Sequence, residues 1–173
     1  MKNKKLGKEF FSRDALDVAP ELVGKILVHR LPDGTELRER IAETEAYRGE
    51  EDLACHASKG RTPRTELLYG ESGIIYIYLC YGMHWLMNVI TGEKDSPQGV
   101  LIRAGADHKG PAKLTKALQI DGSCNGSPIY DNSEIWIEDD GFVPELKKAP
   151  RVGIDYAGDY WKNVEWRFIA KKE

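Results

Sequence analysis

Residues 35–47 alternate with a period of two and read as one long strand. One parity (Glu36, Arg38, Arg40, Ala42, Thr44, Ala46, Arg48) reads as a solvated face. The other (Leu37, Glu39, Ile41, Glu43, Glu45, Tyr47) is turned inward by Leu37 and Ile41. A strand at 25–31 precedes it across Pro32-Asp33-Gly34, a hairpin signal. Residues 73–91 are aromatic and β-branched and break at Tyr81-Gly82, which predicts two strands with a tight connection. Shorter strands are predicted at 99–103, 134–137, 151–154 and 164–169. Helices are few: one over 15–23, capped by Asp14 and limited by Pro20, and one over 112–118. Residues 48–64 are polar and rich in turn formers, hence a loop. Many strands with few helices place the chain in the α+β class, as a single compact domain over 1–173 around a curled, mostly antiparallel sheet.

Composition narrows the function classes. The 173 residues are 41% hydrophobic and 31% charged, an ordinary globular mix. No apolar run approaches a membrane span and the basic N-terminus leads into no signal-peptide core, so no membrane role is expected. Cys55, Cys80 and Cys124 are odd in number and widely spaced, which suits a reducing, intracellular compartment. Cys55-His56 is merely adjacent and no ligand spacing for zinc appears, so neither metal nor cofactor is expected. The net charge of −3 is unevenly spread. Residues 119–145 hold Asp121, Asp131, Glu134, Glu138, Asp139, Asp140 and Glu145 without one Lys or Arg. Outside that stretch the 25 Lys and Arg outnumber the acids, which permits a basic face and a nucleic-acid partner.

Two patterns carry chemistry. Glu43 and Glu45 share the parity that faces inward, where a carboxylate is costly unless paired or hydrogen-bonded. Either they are functional or salt-bridged, or the strand runs past the core's edge and they are wet; a bulge would flip the parity. Tyr76 and Tyr78 share one strand face, whereas Tyr81 falls at the turn. It either folds back onto neighbouring strands or stands out as a wedge for a base stack.

Glu43-Thr44-Glu45-Ala46-Tyr47, Ala54-Cys55-His56, Thr62-Pro63-Arg64 and the run from Tyr76 to His84 resemble the alkyladenine (3-methyladenine) DNA glycosylase family. So do Met87-Asn88-Val89, Leu101-Ile102-Arg103-Ala104, Gly110-Pro111-Ala112-Lys113-Leu114 and the run from Pro150 to Gly158. The ordered motifs span nearly the whole chain. The resemblance implies a fold like the formyltransferase C-terminal domain and an enzyme that hydrolyses the N-glycosidic bond of alkylated purines in base excision repair. It implies Glu45 as the general base activating water, with Arg103 holding both. Tyr47, His56 and Tyr78 then sandwich the extruded base, and Asn88 excludes unmodified bases. Tyr81 fills the gap in the duplex, Met83 flanks it, and Arg64 and Lys113 contact DNA.

The residue types suit that chemistry. A purine alkylated at N3 or N7 carries positive charge and leaves without a strong acid, so one carboxylate serves both the water and the oxocarbenium-like sugar. Aromatic walls favour a cationic base by about 0.5–2 kcal/mol. Lys113 is the only lysine in the motif set, which points to a monofunctional enzyme without a lyase step. The expected partner is double-stranded DNA containing damaged purines, bound by a monomer. The chain departs from the family pattern at Thr65, at Leu68-Tyr69 and in a short stretch between Arg103 and Gly110 that lacks a basic segment. The last departure motivates the alternative of a lesion-binding, base-flipping module with little hydrolysis.

Overall fold

The computed structural model describes residues 2–172. Its backbone is built on one strand, β3 (Glu36–Arg48), which serves two parts of a nine-stranded antiparallel sheet. The first half of β3 pairs with β2 (Ile26–Arg30) in the hairpin the sequence predicts, with Arg30 opposite Glu36. Beyond β2 lie β7 (Ile135–Asp139) and the short β1 (Lys4–Lys5). The second half of β3 pairs with β6 (Gln98–Gly105) on one side and β9 (Arg167–Ala170) on the other. From β6 the sheet continues through β5 (His84–Ile90) to β4 (Ile75–Cys80), while β8 (Leu146–Ala149) borders β9. The sheet stays open, and the whole is a compact α+β unit.

The helices cover one face. α1 (Lys8–Phe11) leads to α2 (Ala15–Leu22), whose N-cap Asp14 accepts from the Leu16 N–H at 2.9 Å. Pro20 sits inside α2 without ending it, because the helix is only 8 residues long and forgoes few bonds. α3 (Pro111–Ala117) begins with its proline in the first turn, one position ahead of the expected start. Phe11, Val18 and Leu22 pack with Ile75, Ile77, Met87, Val89, Val100, Ile102 and Leu114 in one core. Each large side chain buried there contributes about 1.5–3 kcal/mol.

Three expectations need correction. The parity of β3 is not constant: the register with β6 shifts between Ile41 and Glu43 and again between Glu43 and Thr44. Thr44 and Ala46 are therefore not solvated but fully buried, Ala46 in the core and the Thr44 hydroxyl donating to the Ala19 carbonyl at 2.7 Å. Residues 151–154 form no strand; the strand is β8, and 151–154 belong to the loop that follows it, in which Gly153 has φ +76°. Pattern reading also missed α4 (Gly158–Asn163), which buries none of its residues and so shows no apolar stripe. The basic excess is smaller than the sequence suggests, because Arg38, Arg40 and Lys25 are paired with Glu138, Asp140 and Asp139 of the acidic stretch.

Candidate active site

On the face turned away from α2, the same strands floor a cavity of about 550 Å³, with Pro111 and Ala112 of α3 in its lining. Alternation explains its walls. Where Ile75, Ile77, Met87 and Val89 enter the core, the intervening Tyr76, Tyr78, Leu86 and Asn88 face the other way. The double register shift does the same for β3: with Thr44 and Ala46 in the core, Glu45 and Tyr47 line the cavity. Arg103 lies within the shifted segment of β6, which aims it at Glu45.

Glu45 is 0% exposed yet belongs to the cavity floor. Its Oε1 accepts from the Tyr47 hydroxyl at 2.8 Å and its Oε2 from the Val152 N–H at 2.8 Å. The Arg103 Nε stands 3.7 Å from Oε2. Burial pushes the carboxyl above its ordinary pKa, opposed first by the Arg103 charge and then by the Val152 and Tyr47 bonds. The same burial, with the Glu45 charge beside it, pushes the Tyr47 hydroxyl well up, so it remains a donor.

The aromatic wall is continuous. His56 lies 4.7 Å from Tyr78 and 6.0 Å from Tyr76, ring centre to ring centre, and its Nδ1 is 2.9 Å from the Tyr76 hydroxyl. Burial, and then the nearby Arg64 charge, push the His56 pKa down, so the ring is neutral near pH 7 and can offer its second nitrogen to a guest. Asn88 is buried and donates to the Tyr76 carbonyl at 3.1 Å, which fixes its amide at the wall. Burial also pushes the Cys55 thiol to about 12, too high for a nucleophile.

At the rim, Cys80 and His84 pair across a turn closed by the Met83 N–H and the Cys80 carbonyl. Tyr81 and Gly82 both have positive φ, at +52° and +68°. Tyr81 is 90% exposed and Met83 69%, so neither joins a core. Arg64 is exposed and lines the cavity, whereas Lys113 is exposed on α3 and does not. No residue of 119–145 lines the cavity either.

Residue-by-residue reading missed the support beneath the floor. Arg151 and Asp52 are both fully buried, bonded at 2.7 and 2.9 Å. Arg151 also donates to the Ala46 carbonyl, and its guanidinium lies over the rings of Tyr47 and Trp166. Asp52 accepts from the backbone N–H of Arg48 and Ala54. This pair ties the loop after β3 to the loop after β8, which brings Val152 to Glu45. The run Pro150–Gly158 carried a signal for Arg151; Asp52 stood in an acidic turn with none.

The shortened connection also has a built form. Glu39, at 5% exposed, accepts from the N–H groups of Asp107 and His108 and from the His108 ring. Thr65 closes its own turn by donating to the Gly60 carbonyl at 2.8 Å.

The family model of methylpurine-DNA glycosylase matches residues 9–108 and 106–173, in two segments that meet at the shortened connection. A protein of Psychrobacter cryohalolentis is 45% identical over 179 residues, covering 87% of this chain and 84% of the relative. One of Desulfitobacterium hafniense is 42% identical, covering 97% and 96%, and one of Natranaerobius thermophilus 42%, covering 96% of each. All three carry the name "Putative 3-methyladenine DNA glycosylase". A match of this extent, over a chain whose matched motifs converge on one cavity, means that the chain belongs to the methylpurine-DNA glycosylase family.

Proposed function

We propose that the protein is a monofunctional DNA glycosylase that hydrolyses the N-glycosidic bond of alkylated purines flipped out of duplex DNA, the first step of base excision repair. The observation that carries this reading is Glu45: a carboxylate with no exposure on the floor of an open, aromatic-walled cavity, held by two hydrogen-bond donors and the nearby Arg103 charge. The two hydrogen bonds and the Arg103 charge offset part of the cost of burying the anion, and a carboxylate whose pKa is raised suits a base and an electrostatic partner for a cationic sugar.

In the proposed reaction the extruded purine enters between Tyr47 on one side and His56 with Tyr78 on the other. Its C1′–N bond breaks, and the electron pair neutralises the charge of the alkylated ring. Water adds to C1′ and its proton passes to Glu45, while Arg103 orients both. Asn88 at the wall reads the edge of the base. Tyr81 and Met83 enter the duplex where the nucleotide has left, at a flipping cost of a few kcal/mol that is lowest for a weakly paired lesion. Arg64 and Lys113 meet phosphates. Among the described residues no lysine lines the cavity, which supports hydrolysis to an abasic site without a Schiff base. The chain works, in this reading, as a single-domain monomer on double-stranded DNA inside the cell, with the sheet arranged as in the formyltransferase C-terminal domain.

The test is release of free base from duplexes carrying 3-methyladenine, 7-methylguanine, ethenoadenine or hypoxanthine. Release of an alkylated purine, with strand breakage only after alkali, is the expected result. Tight lesion binding without turnover would establish the binding module instead.

A further inference from the structure

The loop after β8 reaches the cavity twice. The Val152 N–H holds Glu45, and four positions on Tyr156 also lines the cavity. Ile154 and Ala157 anchor this loop in a small apolar cluster with Ala54, at 3% and 1% exposed. Tyr156, between them, is 72% exposed. Its hydroxyl reaches toward the Ala54 carbonyl at 3.4 Å, a long contact beside Cys55 and His56. The ring therefore bridges the mouth, from the loop that fixes the carboxylate to the loop that carries the histidine. Core packing does not require a tyrosine there.

The next step rests on the proposed function. If the base occupies the inner aromatic part, Glu45 must face C1′, so the deoxyribose lies beside Glu45 and Val152. Its phosphates then stay at the mouth, on the side of Tyr156. A phosphate oxygen is a charged acceptor and a stronger partner for the phenol than a carbonyl at long range. We propose that Tyr156 is a substrate-binding residue whose hydroxyl donates to a phosphodiester oxygen adjoining the flipped nucleotide. Such a contact exists in both ground and transition states, so it sets binding rather than the rate of bond cleavage.

The experiment is single-turnover base release from an alkylated duplex over a range of enzyme concentrations, for wild type, Tyr156→Phe and Tyr156→Ala, with thermal melts. Tyr156→Phe is expected to raise the half-saturating concentration about tenfold at a nearly constant maximal rate. Tyr156→Ala does the same or more without a lower melting temperature. In a second arm, an uncharged methylphosphonate replaces the phosphate on either side of the lesion. At one position the wild type should lose about the same factor, while Tyr156→Phe loses little more. Unchanged half-saturation in Tyr156→Phe, or equal methylphosphonate losses in both proteins at both positions, overturns the contact. No base release by wild type overturns the proposed function and this contact with it; release by wild type with an unaltered Phe variant overturns the contact alone.

Discussion

The floor of the cavity and the tip of the β4–β5 hairpin differ in how far the protein satisfies its own groups. On the floor, Glu45, Asp52 and Arg151 are fully buried and find their partners within the chain, save for the Arg151 Nε, which has none among the described residues. At the tip, Tyr81 is 90% exposed, in a left-handed conformation that a non-glycine residue adopts at a cost of about 1–3 kcal/mol. One region is nearly complete by itself; the other offers exposed aromatic surface that none of the described residues buries. A glycosylase needs both, because bond cleavage requires groups already in position, whereas flipping requires something held in reserve for the gap. The comparison can be broken at either end.

The largest effect is expected on the floor. Glu45→Gln keeps the shape and removes the proposed base, so base excision should fall by about 10²–10⁴ while lesion-duplex binding survives. Single-turnover rates and equilibrium binding on the same duplex measure the two. Glu43, which pairs with Arg167 at 3.4 Å, serves as the control. If Glu43→Gln is the inactive variant and Glu45→Gln is active, the assignment is reversed.

Next comes the support beneath the floor. Asp52→Asn leaves Arg151 buried without its counter-charge, and breaking a buried pair this way costs about 3–5 kcal/mol. Denaturant midpoints should drop accordingly, and activity should be lost with the fold. A midpoint like that of the wild type would mean that water or a rearranged loop replaces the carboxylate.

Much of this contrast was legible in the sequence and part was not. The hairpins were, because Pro32-Asp33-Gly34 and Tyr81-Gly82 are local signals that do not depend on distant packing. The same turn left open whether Tyr81 folds back or stands out, and only the structure shows it exposed. The orientation of Glu45 did not follow from alternation: Ile41 and Glu45 share a parity, yet Ile41 is in the core and Glu45 in the cavity. The register shifts that separate them are a property of how β3 meets β6, which no period of β3 reveals. Asp52 was invisible for a related reason. Its partner stands 99 residues away, and a buried ion pair of that separation leaves no local pattern. The resemblance to a known family implied roles for Glu45 and Tyr81 without supplying the geometry.

At the tip the expected effect is smaller and of a different kind. Tyr81→Ser removes stacking worth about 1–3 kcal/mol from the flipped state, which lowers its population by roughly one to two powers of ten. Excision from duplex should fall by that factor, and excision from a single-stranded lesion much less. The melting temperature should hold, since Tyr81 is exposed. Equal losses on both substrates with a large drop in melting temperature would place Tyr81 in a structural role. Substitution by glycine sharpens the point, because it relieves the backbone strain while still removing the ring.

The smallest effect concerns pH, and it returns to the floor. Burial raises the folded-state pKa of Glu45 above its ordinary value. A carboxyl raised in this way contributes stability that is present in full below the unfolded pKa and is lost as pH rises through the folded one. A charge on Glu45 therefore costs the folded protein stability. Glu45→Gln carries no charge, and its amide can accept from the Val152 N–H and donate to the Tyr47 oxygen. The variant should thus melt above wild type near neutral pH, with an advantage that shrinks as pH falls through the raised pKa. Excision by the wild type runs the opposite way, falling as the base is protonated over that same window. Thermal melts of both proteins across pH, set beside the pH–rate profile of the wild type, measure both slopes. If Glu45→Gln melts lower than wild type near neutrality, the donors around the carboxylate outweigh its burial, and the floor is as stabilising in its ionised form as it is complete.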